Sequence, residues 1–185
     1  YFFNTASPIA PEDGGDTIAP VFNIWYGPDQ LFGYNGIPQA WVNILGNVSD
    51  YSGIAALSYR LNGGLQVPLF VGPDAKRVQS SGDFNIDMAY SALSCGANTV
   101  DISATDTAGN IATETVNVFY YCSTYWPRTY SIDWSTVTNI QDVAQVVDGY
   151  WSLDAGTVRP VVLGYDRLIA IGDIDPTWND YEVTV

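Results

Sequence analysis

Histidine is missing from this chain, and six Lys and Arg residues stand against twenty Asp and Glu, leaving a formal net charge of −14. Without imidazole there is no Ser–His or Cys–His triad and no histidine metal site. The charge balance makes polyanionic nucleic acid and acidic membrane surfaces poor partners; divalent cations, neutral glycans or further copies of the chain suit it better. Apolar runs stay short of the roughly 18 residues a spanning helix needs, so no transmembrane segment is expected. Helix formers are scarce too: Glu12, Glu114 and Glu182 are the only glutamates, Lys76 the only lysine and Met88 the only methionine. Tyr, Thr, Val, Gly and Asn are abundant instead, which favours an all-β chain. The first residue is Tyr rather than Met and no signal peptide is visible, so the sequence reads as a processed or trimmed product.

What is present begins with residues 41–70, where three strand-like runs follow one another. Residues 41–45 are aromatic and β-branched, 46–53 hold turn formers, and 54–61 resume with Ile54 and Ala56 on one face. Asn62-Gly63-Gly64 tolerates the positive φ of a tight hairpin, and residues 65–71 return. The expectation is a three-stranded antiparallel meander. Residues 1–20 hold Tyr1-Phe2-Phe3, Pro8, Pro11, Gly14-Gly15 and Pro20, an arm or linker with an apolar tip. Residues 21–26 form a strand, residues 27–29 a turn and residues 30–39 a loop. Residues 83–88 alternate, with Phe84, Ile86 and Met88 inward and Asp83, Asn85 and Asp87 outward. Val100, Ile102 and Ala104 share a face of the next strand, Gly109 sits in a turn, and residues 111–122 close the unit.

About seven strands in about 100 residues is the number an immunoglobulin-like sandwich has. The run LSCGANTVDISATDTAGNIATETVNVFY, residues 93–120, resembles the closing strands of bacterial surface immunoglobulin-like domains, with their L-x-x-G-x-N-x-V corner and A-x-D-x-x-G-N hairpin. The resemblance covers roughly residues 20–122 and implies spacers, adhesins or assembly units without catalysis of their own. Cys95 and Cys122, the only cysteines, both lie beside strands. A disulfide is preferred over two buried free thiols, and it would close a loop worth about 3–4 kcal/mol in the chain-entropy model. It would also place the chain in an oxidising compartment, secreted or on a cell surface. Asn47-Val48-Ser49 is a glycosylation sequon.

Trp126-Pro127 opens a second part. Ile140, Val143, Ala144 and Val147 have helical spacing, although 143–147 also reads as a strand. Residues 149–162 read as two short strands around Asp154-Ala155-Gly156, with further strands at 167–172 and 180–185. The Gly-Tyr-Trp, YDRLIAIGD and WNDYEVTV runs resemble the opening strands of concanavalin-like or laminin-G-like jelly rolls, a class that binds glycans or cleaves them. The expected architecture is therefore all-β: an arm at 1–20, an immunoglobulin-like antiparallel sandwich at 21–122, and a smaller, incomplete, jelly-roll-like part at 123–185.

Glycoside hydrolysis needs two carboxylates flanking one bond. The E-x-D-x-x-E strand that the jelly-roll resemblance would call for is missing, and Asp166 beside Arg167, or Asp180 near Glu182, are the nearest substitutes. No catalytic residues are assigned. Asp173, Asp175 and Asp180 with Asn179 group hard oxygens of the kind calcium (Ca2+) takes, although the spacing is not that of an EF-hand. Six Trp, thirteen Tyr and seven Phe exceed what one core absorbs. Adjacent pairs such as Trp25-Tyr26, Tyr120-Tyr121 and Tyr150-Trp151 must place one ring on each face of a strand. An edge strand carrying Tyr181, Val183 and Val185 invites another strand, and the Tyr1, Phe2, Phe3 arm is a donor of the right kind. The function expected is a non-catalytic structural or adhesive module of an extracellular assembly, a homo-oligomer or fibre built by strand addition. The alternative is a glycan-binding fragment of a larger carbohydrate-active protein.

Overall fold

A computed structural model of the chain describes residues 15–164 and 167–174. Among them, eight strands build a two-layer sandwich: β1 (Val21–Ile24), β2 (Asp29–Phe32), β3 (Trp41–Ser49), β4 (Ile54–Leu61), β5 (Val67–Leu69), β6 (Asp83–Ala89), β7 (Gly96–Asp106) and β8 (Ile111–Tyr120). One sheet has the order β1-β3-β6 and the other β2-β8-β7-β4-β5. All neighbours are antiparallel except β2 and β8, which run parallel.

The inward faces are those the alternation demands. Val42, Ile44, Val48, Phe84, Ile86 and Met88 from one sheet meet Leu57, Val100, Ile102, Ala104, Val116 and Val118 from the other, all buried. Opposite Phe84 in the β3–β6 ladder stands Gly46. A Cβ there would come within 2.7 Å of Phe84 Cζ and 2.6 Å of the Asn23 carbonyl. The missing side chain is therefore what lets the phenyl ring and strand β1 close on β3.

The turn chemistry follows the sequence closely. Asn62 and Gly63 both take positive φ at the tip of the β4–β5 hairpin. At the corner before β7, Asn98 accepts from the Ser94 amide and donates to the Ser94 and Gly96 carbonyls, so its side chain replaces ladder bonds that the chain gives up in turning. Cys95 and Cys122 form a disulfide that ties this corner to the chain leaving β8.

Three expectations need correction. Strands β3, β4 and β5 do not form a meander: β3 pairs with β1 and β6, and the chain crosses to the opposite sheet before β4. Both strands have one apolar face, a pattern satisfied equally by lying side by side or face to face. Ile54 and Ala56 do not share a face either. A bulge between them shifts the register, leaving Ile54 packed on the core with Leu57, Tyr59 and Leu61 while Ala56 is exposed. Residues 29–32, read as turn and loop, are strand β2, which gains its hydrogen bonds from β8 at long range rather than from a local hairpin.

Four more strands follow: β9 (Gln145–Asp148), β10 (Trp151–Asp154), β11 (Thr157–Pro160) and β12 (Leu168–Ala170). They form two antiparallel pairs, β9 with β12 and β10 with β11. The ambiguous stretch resolves into a 3₁₀ turn, Ile140–Asp142, capped by Asn139, and then the strand β9. This part covers the outer face of β3. Leu45, Ile140 and Val146 make a second buried cluster, with Trp25, Tyr26, Trp134, Trp151, Val158 and Ile169 packed around it. Here is the second destination of the adjacent aromatic pairs: Tyr120 packs on the sandwich core, whereas Trp25 stacks on Tyr150 and Tyr26 meets it edge-on. The final strand expected at 180–185, the Tyr181, Val183, Val185 edge and the Tyr1, Phe2, Phe3 arm lie outside the described residues.

Replacing Gly46 with Ala is expected to cost about 1–3 kcal/mol of folding stability, as overpacking does. The denaturant midpoint checks it; an unchanged midpoint would mean that Phe84 and β1 shift freely.

Candidate functional site

The outward residues of β3 and β6 form a polar ladder, because the same alternation that buries Ile44 and Ile86 turns Asn43, Asn47, Asp83 and Asp87 the other way. Asn43 pairs with Asp87 and Asn47 with Asp83 in the register, and in each pair the amide donates to the carboxylate, at 2.5 and 2.8 Å. Arg77 reaches this ladder from the loop between β5 and β6. Its guanidinium takes Asp87 with both terminal nitrogens, at 2.8 and 3.2 Å. The same group donates to the Val147 carbonyl at 3.1 Å and to Asp148 Oδ2 at 3.3 Å, both on β9. One cation therefore joins the loop, β6 and the C-terminal part. Burial works against its charge, but the bonds and charges of Asp87 and then Asp148 outweigh that and hold the guanidinium pKa above its usual value.

Between these elements opens a cleft of about 230 Å³ lined by Gln39, Trp41, Asn43, Arg77, Asp87 and Val147. Trp41 is 49% exposed, although its backbone is fixed on both sides. It pairs with Ala89 in the ladder, and its carbonyl accepts from the side chains of Gln39 and Gln145. Elsewhere in the junction the parts are keyed by buried and half-buried polar groups. The Tyr90 hydroxyl donates to Gln145, Gln141 donates to Gln30, and the Tyr26 hydroxyl donates to the Gly149 carbonyl while accepting from the Trp151 amide. Burial raises the pKa of both tyrosines, so they remain neutral donors.

Carboxylates converge elsewhere, at the pole of the sandwich where residue 16 enters. Asp16, Asp50 and Asp106 each place an oxygen within 4.8 Å of the others. Asp106 is held by Asn110, which donates its backbone and side-chain N–H groups at 2.8 and 2.7 Å. Burial pushes the Asp106 carboxyl up, but the bonds from Asn110, Gly109 and Ala108 prevail and lower it. Asp50 accepts from the amide and hydroxyl of Ser52, and Asp16 Oδ2 is buried with no hydrogen-bond partner. By donor chemistry this is a hard-oxygen set. Of the calcium ligands expected from sequence, Asp173 accepts from the Trp126 amide at 3.2 Å, and Asp175 and Asp180 lie outside the described residues, as do Asp166 and Glu182. At the sequon, the Asn47 side-chain nitrogen donates to the Ser81 carbonyl and to Asp83. Sequence reasoning passed over Trp41, Arg77, Asp87 and Asp148. The available signal was the Lys76-Arg77 pair, the one adjacent pair of basic residues in an acidic chain, just before a strand whose outward residues Asp83, Asn85 and Asp87 are all polar.

No family model matches this chain, and no curated protein does. Among solved structures, the chain is similar to an endo-β-1,4-mannanase from Thermotoga petrophila, at 15% identity and a TM-score of 0.41 over 58% of this chain and 21% of that one. It is also similar to the fibronectin(III)-like modules of CbhA from Clostridium thermocellum, at 11% identity and 0.41 over 61% of this chain and 53% of that one. A third is a mutant SrpA adhesin from Streptococcus sanguinis, at 13% identity and 0.37 over 80% and 94%. The chain thus spans about a fifth of the mannanase and about half of the CbhA modules.

Asp148 is 2% exposed. Burial lifts its carboxyl from 3.8 to about 6, against the pull of Arg77 and the Gly149 amide. A carboxyl that titrates higher in the folded than in the unfolded chain binds its proton preferentially when folded. The resulting stability is full below about pH 3.8 and lost as the pH rises through about 6. Asp148→Asn keeps an acceptor for Gly149 and removes the titration. Across that window, wild-type stability is expected to fall relative to the variant as the pH rises, which denaturant unfolding at stepped pH measures; the opposite trend would mean that the Arg77 pair outweighs burial.

Proposed function

We propose that this chain is a non-catalytic structural or adhesive module of a secreted or cell-surface protein, built on an immunoglobulin-like sandwich. The observation that carries the reading is how its polar groups are spent. Arg77, Gln141, Gln145, Tyr26 and Tyr90 all bond across the junction between the sandwich and the C-terminal part, locking the two together. A body that transmits position between partners needs this rigidity. The strand order, with β1 in one sheet and β2 in the other, supports the immunoglobulin-like assignment. The Cys95–Cys122 bond supports an oxidising location, and no helix among the described residues is long and apolar enough to cross a membrane. The neighbours named above, fibronectin-like modules and an adhesin among them, agree in fold class only.

Within this reading, self-association proceeds by strand addition through the Tyr1, Phe2, Phe3 arm and the Tyr181, Val183, Val185 segment. Light scattering and electron microscopy are expected to find ordered polymers, and deletion of residues 1–10 is expected to return them to monomers. Polymers that persist after the deletion would remove strand exchange; a chain that is monomeric throughout would remove self-assembly. Incubation with neutral polysaccharides is expected to release no reducing ends beyond a heat-denatured control, and release would overturn the non-catalytic assignment.

A further inference from the structure

The Trp41 cleft is a site that the structural role does not use. Its half-exposed indole offers a flat apolar face beside a row of hydrogen-bonding groups, the combination that an amphipathic ring ligand can use on both counts. Three of the six lining residues, Gln39, Arg77 and Asp87, offer hydrogen-bonding side chains to the cleft, while Asn43, 1% exposed, is held behind them by Gln39 and Asp87. Donors and acceptors are both present, as a ligand rich in hydroxyl groups requires, because each hydroxyl can donate once and accept twice. The groups are also held in place before any ligand arrives. Arg77 is fixed by Asp87, Asp148 and Val147, and Asn43 by Gln39 and Asp87. Asp87 nevertheless keeps 42% of its side chain exposed and Arg77 keeps 32%, so both still face incoming ligand.

Charge narrows the class. A net charge of −14 opposes anionic ligands, and the one cation and one carboxylate lining the cleft, Arg77 and Asp87, are already paired with each other, so neither offers an unbalanced charge to an ionic ligand. Size narrows it further: about 230 Å³ falls below the roughly 300–1,000 Å³ of pockets that enclose drug-sized molecules.

We propose that this cleft binds one ring of a neutral glycan, the sugar face stacked on Trp41 and its hydroxyl groups hydrogen-bonded to Gln39, Arg77 and Asp87. One ring fills the volume, and the rest of the glycan leaves through the open side of the cleft. A spacer needs no such ligand, so this site stands or falls separately from the structural reading.

Affinity electrophoresis of the full chain in native gels containing galactomannan, mixed-linkage β-glucan or arabinoxylan tests the proposal, with polygalacturonate as the anionic counterpart. Retardation is expected in at least one neutral gel and not in polygalacturonate. Trp41→Ala is expected to weaken the association constant about tenfold or more, and Trp41→Phe less. Gln39→Ala, which removes one partner of Asn43 but no apolar side chain of either core cluster, is expected to weaken it severalfold, so the proposal stays testable if Trp41→Ala fails to fold. Absence of retardation in all three neutral gels would overturn the proposal. So would retardation unchanged in both Trp41→Ala and Gln39→Ala, or binding stronger to polygalacturonate than to the neutral polymers.

Discussion

Between Val42 and Val48, strand β3 has no exposed residue. Its even-numbered side chains enter the sandwich core, and Leu45 on the other face enters the second cluster under the C-terminal part. Each layer of the molecule rests on this strand, so neither face can be altered without disturbing a packed neighbour. A sheet buried on both sides must carry polar residues only where they find partners, and Asn43 meets that demand through Gln39 and Asp87.

The junction that results is more polar than the core it encloses. Gln30, Gln141, Gln145 and Asp148 are all nearly inaccessible to water. Each amide has its carbonyl or hydroxyl partner, save Gln141 Oε1, which is buried without one. Directional bonds of this kind favour one placement of the C-terminal part over alternatives that apolar packing alone would tolerate.

The sandwich core was legible in the sequence because alternation is a local property. Phe84, Ile86 and Met88, or Val100, Ile102 and Ala104, announce a half-buried strand whatever their neighbours are. Partner choice is not local, which is why β3 was expected beside β4 and β2 was not expected at all. The corner at Asn98 and the hairpin at Asn62-Gly63 were readable since their chemistry lies within a few residues. The cleft was hidden for the opposite reason: Trp41, Arg77 and Asp148 are far apart in the chain and meet only after two sheets and a loop have closed. The packing of the C-terminal part on Leu45 and Trp25 is likewise a long-range complementarity that its short local motifs do not display.

The parallel pairing of β2 with β8 has a mechanical meaning. The ladder runs from Asp29 opposite Asn117 to Phe32 opposite Tyr120, so the chain enters it at one end and leaves at the other. Tension applied along the backbone through these two strands loads every rung together, in shear, instead of opening them one at a time. Just beyond Tyr120, the Cys122 bond to Cys95 carries part of any such pull into the start of β7. Under such a load β2 and β8 are thus a pair that cannot peel apart rung by rung.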